Sequence, residues 1–147
     1  MGLDMYLTAE RYISEYSDPD LSIKANELMK DGPGPVKGIT CEAIYWRKAN
    51  AIHKWFVREC QGGRDECQRT FIPREKLQEL LDTIKQVLGD SNRKAVAESL
   101  LPTGSGFFFG STEYDEWYFR DLEYTEKKLQ KILAMPDNWD FYYYASW

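Results

Sequence analysis

The sequence predicts an α+β fold: one domain spanning residues 1–147, with about four helices packed on a small, mainly antiparallel sheet. Three observations lead there. The chain of 147 residues is long enough to bury one core and too short for two ordinary ones. Segments of strand character stand at both ends, MGLDMYLTAERYI and DFYYYASW, which places the first and last strands within reach of one another. Between them lie apolar residues spaced at three and four, as amphipathic helices require.

Along Met1 to Ile13, Leu3, Met5 and Leu7 share one parity and Asp4, Tyr6 and Thr8 the other, the two-residue period of a half-buried strand. Ser17 or Asp18 can cap a short helix with Pro19 in its first turn, running through Leu21, Ala25, Leu28 and Met29 to Gly32. Asp31 to Gly38 (DGPGPVKG) is a loop, long enough to serve as a flap or as a plain connector. Val36 to Tyr45 returns to strand composition, and from Trp46 the pattern turns helical to about Cys60, where Gly62 and Gly63 stop it. Gln68 to Ile72 is a candidate short strand. Pro73 then opens the clearest helix, with Leu77, Leu80, Leu81, Ile84, Val87 and Leu88 forming a core stripe closed by Gly89. Ser91 to Leu100 suits a shorter helix. Thr112, with Asp115 three residues on, resembles a capping box for a long helix whose buried face is Tyr114, Trp117, Tyr118, Leu122, Thr125, Leu129, Ile132 and Leu133, ended by Pro136.

With 43% hydrophobic and 29% charged residues the composition is globular, and the 15% of aromatic residues is its unusual feature. Either the rings fill a small core economically or some of them form a binding surface. A net charge of −5 argues against general nucleic-acid or acidic-membrane attraction, which depends on neutralising phosphates. Cys41, Cys60 and Cys67 contain no C-x-x-C pair and leave one thiol over in any disulfide scheme. With no signal-peptide pattern and no apolar run of about 18 residues, a reduced cytosolic location is expected.

Two segments carry the candidate chemistry. In YWRKANAIHKWF (Tyr45 to Phe56), a helix begun at Trp46 would align Trp46, Ala49, Asn50, His53, Phe56, Val57 and Cys60, so that Asn50 and His53 interrupt an apolar side. Buried polar groups need partners, and these two are either internal wiring or a binding site. Arg47 and Lys48 stand at the helix start, where the macrodipole prefers acids; their alternatives are anion contact and an ordinary solvated basic turn. One histidine and no recognised zinc spacing predict no metal, and no cofactor is expected. In SGFFFGSTEYDEWYF (Ser105 to Phe119), three consecutive phenylalanines cannot all face one way, so Phe107 or a neighbour is either clamped in the core or offered to a planar ligand. Ser105 and Ser111 add hydroxyls. Glu113, Asp115 and Glu116 crowd the following helix start and disfavour a phosphate there.

These strings, with MGLDMYL at the N-terminus, resemble a family of small proteins from bacteriophages, prophages and bacteria, over most of the chain. The resemblance implies a phage-linked cytosolic accessory role, of the kind that binds a host protein or sequesters a small signal, and implies no reaction. The expected function is non-enzymatic binding of a small anionic, ring-containing ligand such as a nucleotide-derived signal. The residues expected to contact it are Trp46, Arg47, Lys48, Asn50, His53, Ser105, Phe107, Ser111 and Tyr114. The alternatives are an interaction protein that inhibits a host factor, and a small hydrolase with His53 as general base oriented by Asp115 or Glu116.

Overall fold

The alternation read at the N-terminus builds β1 (Asp4–Tyr12) in the computed structural model, which describes residues 2–147. After it come α1 (Pro19–Leu28), β2 (Gly38–Arg47), α2 (Asn50–Cys60), β3 (Thr70–Ile72), α3 (Arg74–Gly89), α4 (Arg93–Leu100), α5 (Glu116–Leu133) and β4 (Asp140–Ser146). Met1, where the N-terminal strand was expected to begin, lies outside the described residues. The four strands form one antiparallel sheet in the order β2-β1-β4-β3. The first and last strands of the chain are therefore its central pair, in register from Asp4 opposite Ser146 to Glu10 opposite Asp140.

One face of the sheet carries Leu3, Met5, Leu7 and Ala9 with Ile44, Trp46, Ile72, Phe141, Tyr143 and Ala145, all buried. The helices close over that face with Ala51, Ile52, Trp55 and Phe56 from α2, the leucine stripe of α3, Ala97 from α4, and Leu122, Leu129 and Ile132 from α5. Between β1 and β2 the register slips at Leu7 and Thr8, which pair with Ile44 and Glu42, so Ala43 is an extra residue on β2. This bulge sets the parity that turns both Ile44 and Trp46 inward.

The architecture is α+β as expected; among the described residues the helices number five, one for each helical segment read along the sequence, against the total of about four. Asp90 in extended conformation ends α3, and Asn92 starts α4 afresh by accepting the Ala95 N–H at 3.3 Å. Several element starts also differ from the sequence reading. Trp46 and Arg47 belong to β2, paired with Met5 and Asp4, because Lys48 takes a left-handed φ of 61° and only after it does the chain turn helical. The Trp46 ring thus reaches the core from a strand, and its Nε1–H donates to Thr125 Oγ1 at 2.7 Å. Asp115 rather than Thr112 caps α5, accepting the Tyr118 N–H at 3.1 Å, while the Thr112 carbonyl accepts from Thr103 Oγ1. Trp117, assigned to the buried face of the long helix, is exposed in its first turn. At α1, Asp18 pairs with Arg11 and gives no side-chain cap.

Candidate functional site

The β2–α2 junction starts with a backbone constraint. Lys48 N–H donates to the Leu3 carbonyl at 2.7 Å, and Asn50 N–H folds back to the Lys48 carbonyl at 2.9 Å, which turns the chain sharply into α2. The residue at the N-cap position is Ala49, which has no side chain able to accept a hydrogen bond, and the first turn contains no acid. The first intrahelical bond runs from His53 N–H to Ala49 carbonyl. The amides of Ala51 and Ile52 are left with no acceptor among the described residues, although these residues are 5% and 1% exposed. Orphan amides at a buried helix start are rare and costly.

The second motif crosses over this start. Asn50 holds it with its whole amide group: Nδ2 donates to the carbonyls of Phe109 at 2.9 Å and Ser111 at 2.8 Å, and Oδ1 accepts the Gly104 N–H at 3.1 Å. The Thr103 N–H donates to Tyr114 Oη at 3.1 Å, and Tyr118 O–H donates to the Leu101 carbonyl at 2.7 Å, so the crossing segment (residues 103–112, the strap) is anchored at both ends. At Gly110, with φ of 81°, an added Cβ would meet Lys48 Cδ at 3.2 Å; glycine supplies both the left-handed turn and room for the lysine stem. Phe109 packs its ring edge-on against His53 at 5.3 Å between centroids.

Between the junction, the strap and α5 lies a cavity of about 240 Å³. Its walls have opposite polarity. On one side stand Arg47, Lys48 and the amide-bearing first turn of α2; on the other stand Glu113, Asp115 and Asp121, with Trp117 alongside. Arg47 is partly engaged, since it pairs with Asp4 at 3.1 Å, and Asp4 also accepts the Tyr45 hydroxyl at 2.5 Å; these two partners hold the Asp4 carboxyl below its ordinary range. Asp121 is pushed the other way, up to about 6, chiefly by burial and further by the charge of Asp115. The folded state therefore holds this proton more tightly than the unfolded chain does. Stability contributed here is greatest below the unfolded value, falls as pH rises from about 4 through 6, and the full penalty of a buried charge is present above 6. Asp121→Asn is accordingly expected to raise stability at pH 7.5, by on the order of 1 kcal/mol, and to flatten the decline between pH 4 and 6; urea titrations at pH 4, 6 and 7.5 measure both.

A second cavity, of about 260 Å³, opens on the other side of Asn50, lined in part by His53, Lys54, Asp65, Ser105 and Phe109. His53 is buried and engaged at both nitrogens, with Tyr143 Oη 2.6 Å from Nδ1 and Asp65 Oδ2 2.9 Å from Nε2. A neutral imidazole protonated on Nε2 satisfies both contacts: it accepts the Tyr143 O–H and donates to Asp65. The other Asp65 oxygen accepts Trp147 Nε1–H at 3.1 Å. The acid beside His53 is thus Asp65 and not Asp115 or Glu116, which stand at the start of α5.

Of the residues selected from sequence, Arg47, Lys48, Asn50 and Ser111 line the first cavity, and Asn50, His53 and Ser105 line the second. The others are elsewhere. Trp46 is core, Tyr114 braces the strap through its hydroxyl, and Phe107 stands 79% exposed on the strap, beside Phe108. The sequence reading missed Asp121, Asp65 and Tyr143. Tyr143 could have been found by extending the alternation of the last strand, since it shares a parity with Phe141 and Ala145. Asp65 had no local signal, because it sits in an irregular segment after two glycines. Among the described residues no group of three or more His, Cys, Asp or Glu side chains is placed to hold a metal, and no helix is long and apolar enough to cross a membrane. Comparison with protein-family models, curated proteins and solved structures returns no match.

Proposed function

We propose that the protein binds, without transforming it, a small anionic ring-bearing ligand in the cavity between the β2–α2 junction and α5. In the phage-linked role implied by the sequence resemblance, such binding would sequester a nucleotide-derived signal. The observation that carries the reading is the pair of orphan amides of Ala51 and Ile52 on a cavity wall that also holds Lys48 and Arg47. An uncapped helix start offers N–H donors and the positive end of the dipole to an anion, and nearby cations add to it. At about 240 Å³ the cavity falls just below the range of drug-sized sites, which suits one ring and one anionic group, with any sugar at the mouth. The case for binding over hydrolysis rests on His53, the only histidine, which lies in the other cavity with both nitrogens engaged.

The test is to supply the missing cap from within. Ala49→Asp places a carboxylate where the amides can reach it, and is expected to raise stability by about 1 kcal/mol while displacing an anionic ligand. Calorimetry of the unaltered protein with inorganic phosphate and a panel of nucleoside monophosphates should show binding that Ala49→Asp abolishes and Lys48→Met weakens at least tenfold. Absence of binding across the panel would sink the reading.

A second reading, inhibition of a host factor by direct contact, has its own support. Phe107 and Phe108 form an exposed edge-to-face pair at 4.6 Å on the strap, the kind of aromatic anchor that interfaces use. If that reading holds, a Phe107→Ser, Phe108→Ser double variant loses its partner and keeps its affinity for the small ligand.

A further inference from the structure

We infer that the ligand of the first cavity carries N–H donors at the end opposite its anionic group, and that Asp121 and Asp115 read those donors. This rests on the binding proposed above and specifies the half of the ligand that the orphan amides leave open. The acidic wall is built differently from the basic one. The Asp121 carboxylate has no hydrogen-bond or ion-pair partner among the described residues, whereas its backbone carbonyl accepts Thr125 O–H at 2.6 Å. Asp115 spends one oxygen on the Tyr118 N–H and keeps the other available. Glu113 adds a third carboxylate to the same wall, and the positive groups lining the cavity, Arg47 and Lys48, come from the β2–α2 junction, with Arg47 tied to Asp4.

A ligand that is anionic or oxygen-rich throughout would set its lone pairs against these carboxylates, and like charges or facing acceptors across a partly buried gap are repulsive. A ligand with a phosphate or carboxylate at one end and N–H groups at the other meets both walls with complementary charge. Two chemistries share that description. One is a guanine-type nucleobase on a monophosphate, whose adjacent ring and exocyclic N–H groups match the two oxygens of a carboxylate; the other is an aromatic zwitterion with its ammonium and carboxylate at opposite ends of the ring. The proximity of Trp117 suits a flat ring in either case.

The experiment compares ligands differing only at the donor end. Calorimetry at pH 7.5 sets guanosine monophosphate against xanthosine monophosphate, in which a carbonyl oxygen replaces the amino group, with para-aminomethylbenzoate, whose ammonium and carboxylate stand at opposite ends of the ring, as the zwitterion arm. Guanosine monophosphate is expected to bind at least tenfold more tightly than its xanthosine counterpart, or the zwitterion to bind while phosphate esters lacking an amine do not. Asp121→Asn should erase the preference, and so should Asp115→Asn, which preserves the helix cap because asparagine also accepts from an amide. Circular dichroism confirms that both variants are folded. Equal affinity for the two nucleotides, or a preference unchanged in both variants, overturns this inference while leaving anion binding intact. No binding of phosphate, nucleotide or zwitterion overturns both.

Discussion

Phe56→Ala is expected to lower the unfolding free energy by about 4 kcal/mol, which is most of the stability of a domain at the low end of the usual 5–15 kcal/mol. Phe56 is fully buried where α2 meets the sheet. Its ring stacks on Tyr143 at 4.0 Å with planes 10° apart, and meets Trp55 edge-on at 5.3 Å and Trp46 at 6.0 Å. Truncation therefore removes the transfer free energy of one large side chain and leaves three aromatic neighbours facing a void. Those neighbours cannot collapse into it freely, because Tyr143 is held by His53 and Trp46 by Thr125. A urea titration should show a large fall in the midpoint with an unchanged slope, and Phe56→Leu, which fills more of the space, should recover more than half of the loss. A loss below about 2 kcal/mol for the alanine variant would mean that the aromatic cluster repacks and does not define the core.

The same cluster shows what could be read from the chain and what could not. Alternation along β1 and the three-and-four spacing of α3 report which side of an element is buried, and Leu3, Met5, Leu7, Leu77, Leu80, Leu81 and Ile84 are buried accordingly. Such periodicity is blind to what happens where an element starts. Trp46 and Arg47 satisfy a helical spacing with Asn50 and His53, yet the backbone bonds of β2 to β1 and the left-handed Lys48 place them on a strand. The error changes the chemistry, because a helix begun at Trp46 would have hidden the orphan amides that an α2 begun at Asn50 exposes to the cavity. Thr112 failed as a cap for a similar reason: the strap it belongs to is organised by Asn50, far away in sequence, and Asp115 was available closer to the first turn. The two motif segments do converge, as the mixture of polar and aromatic residues in both suggested. Their opposing wall, Asp121, is two residues beyond the motif and resembles an ordinary helix-surface acid until its partial burial is known.

Asn50→Ala is expected to cost about 3 kcal/mol and to lower the melting temperature by roughly 9 °C, more than any other polar truncation at this junction. The side chain is 4% exposed and makes three hydrogen bonds to backbone groups of the strap. Its loss strands the carbonyls of Phe109 and Ser111 and the Gly104 amide together, and water enters only if the strap lifts. Asn50→Asp should be worse at neutral pH despite its similar shape. It keeps an acceptor for Gly104 but turns a carboxylate oxygen toward two carbonyl oxygens that require a donor, and the positive helix start offsets only part of that repulsion. Ordering the variants by thermal unfolding therefore separates specific wiring from mere volume: alanine below asparagine, and aspartate below alanine. Hydrogen exchange at Gly104 should speed up in both variants before global unfolding, because Asn50 makes three of the hydrogen bonds that hold the strap to α2, and what remains is the exposed bond from Lys54 Nζ to the Thr103 carbonyl at 3.3 Å and the packing of Phe109 on His53. With the strap released, Gly110 and Ser111 no longer border the cavity, so either variant should lose small-anion binding as well. Full retention of binding by Asn50→Ala, with the strap amides unprotected, would show that the anion is held by the α2 start and Lys48 alone.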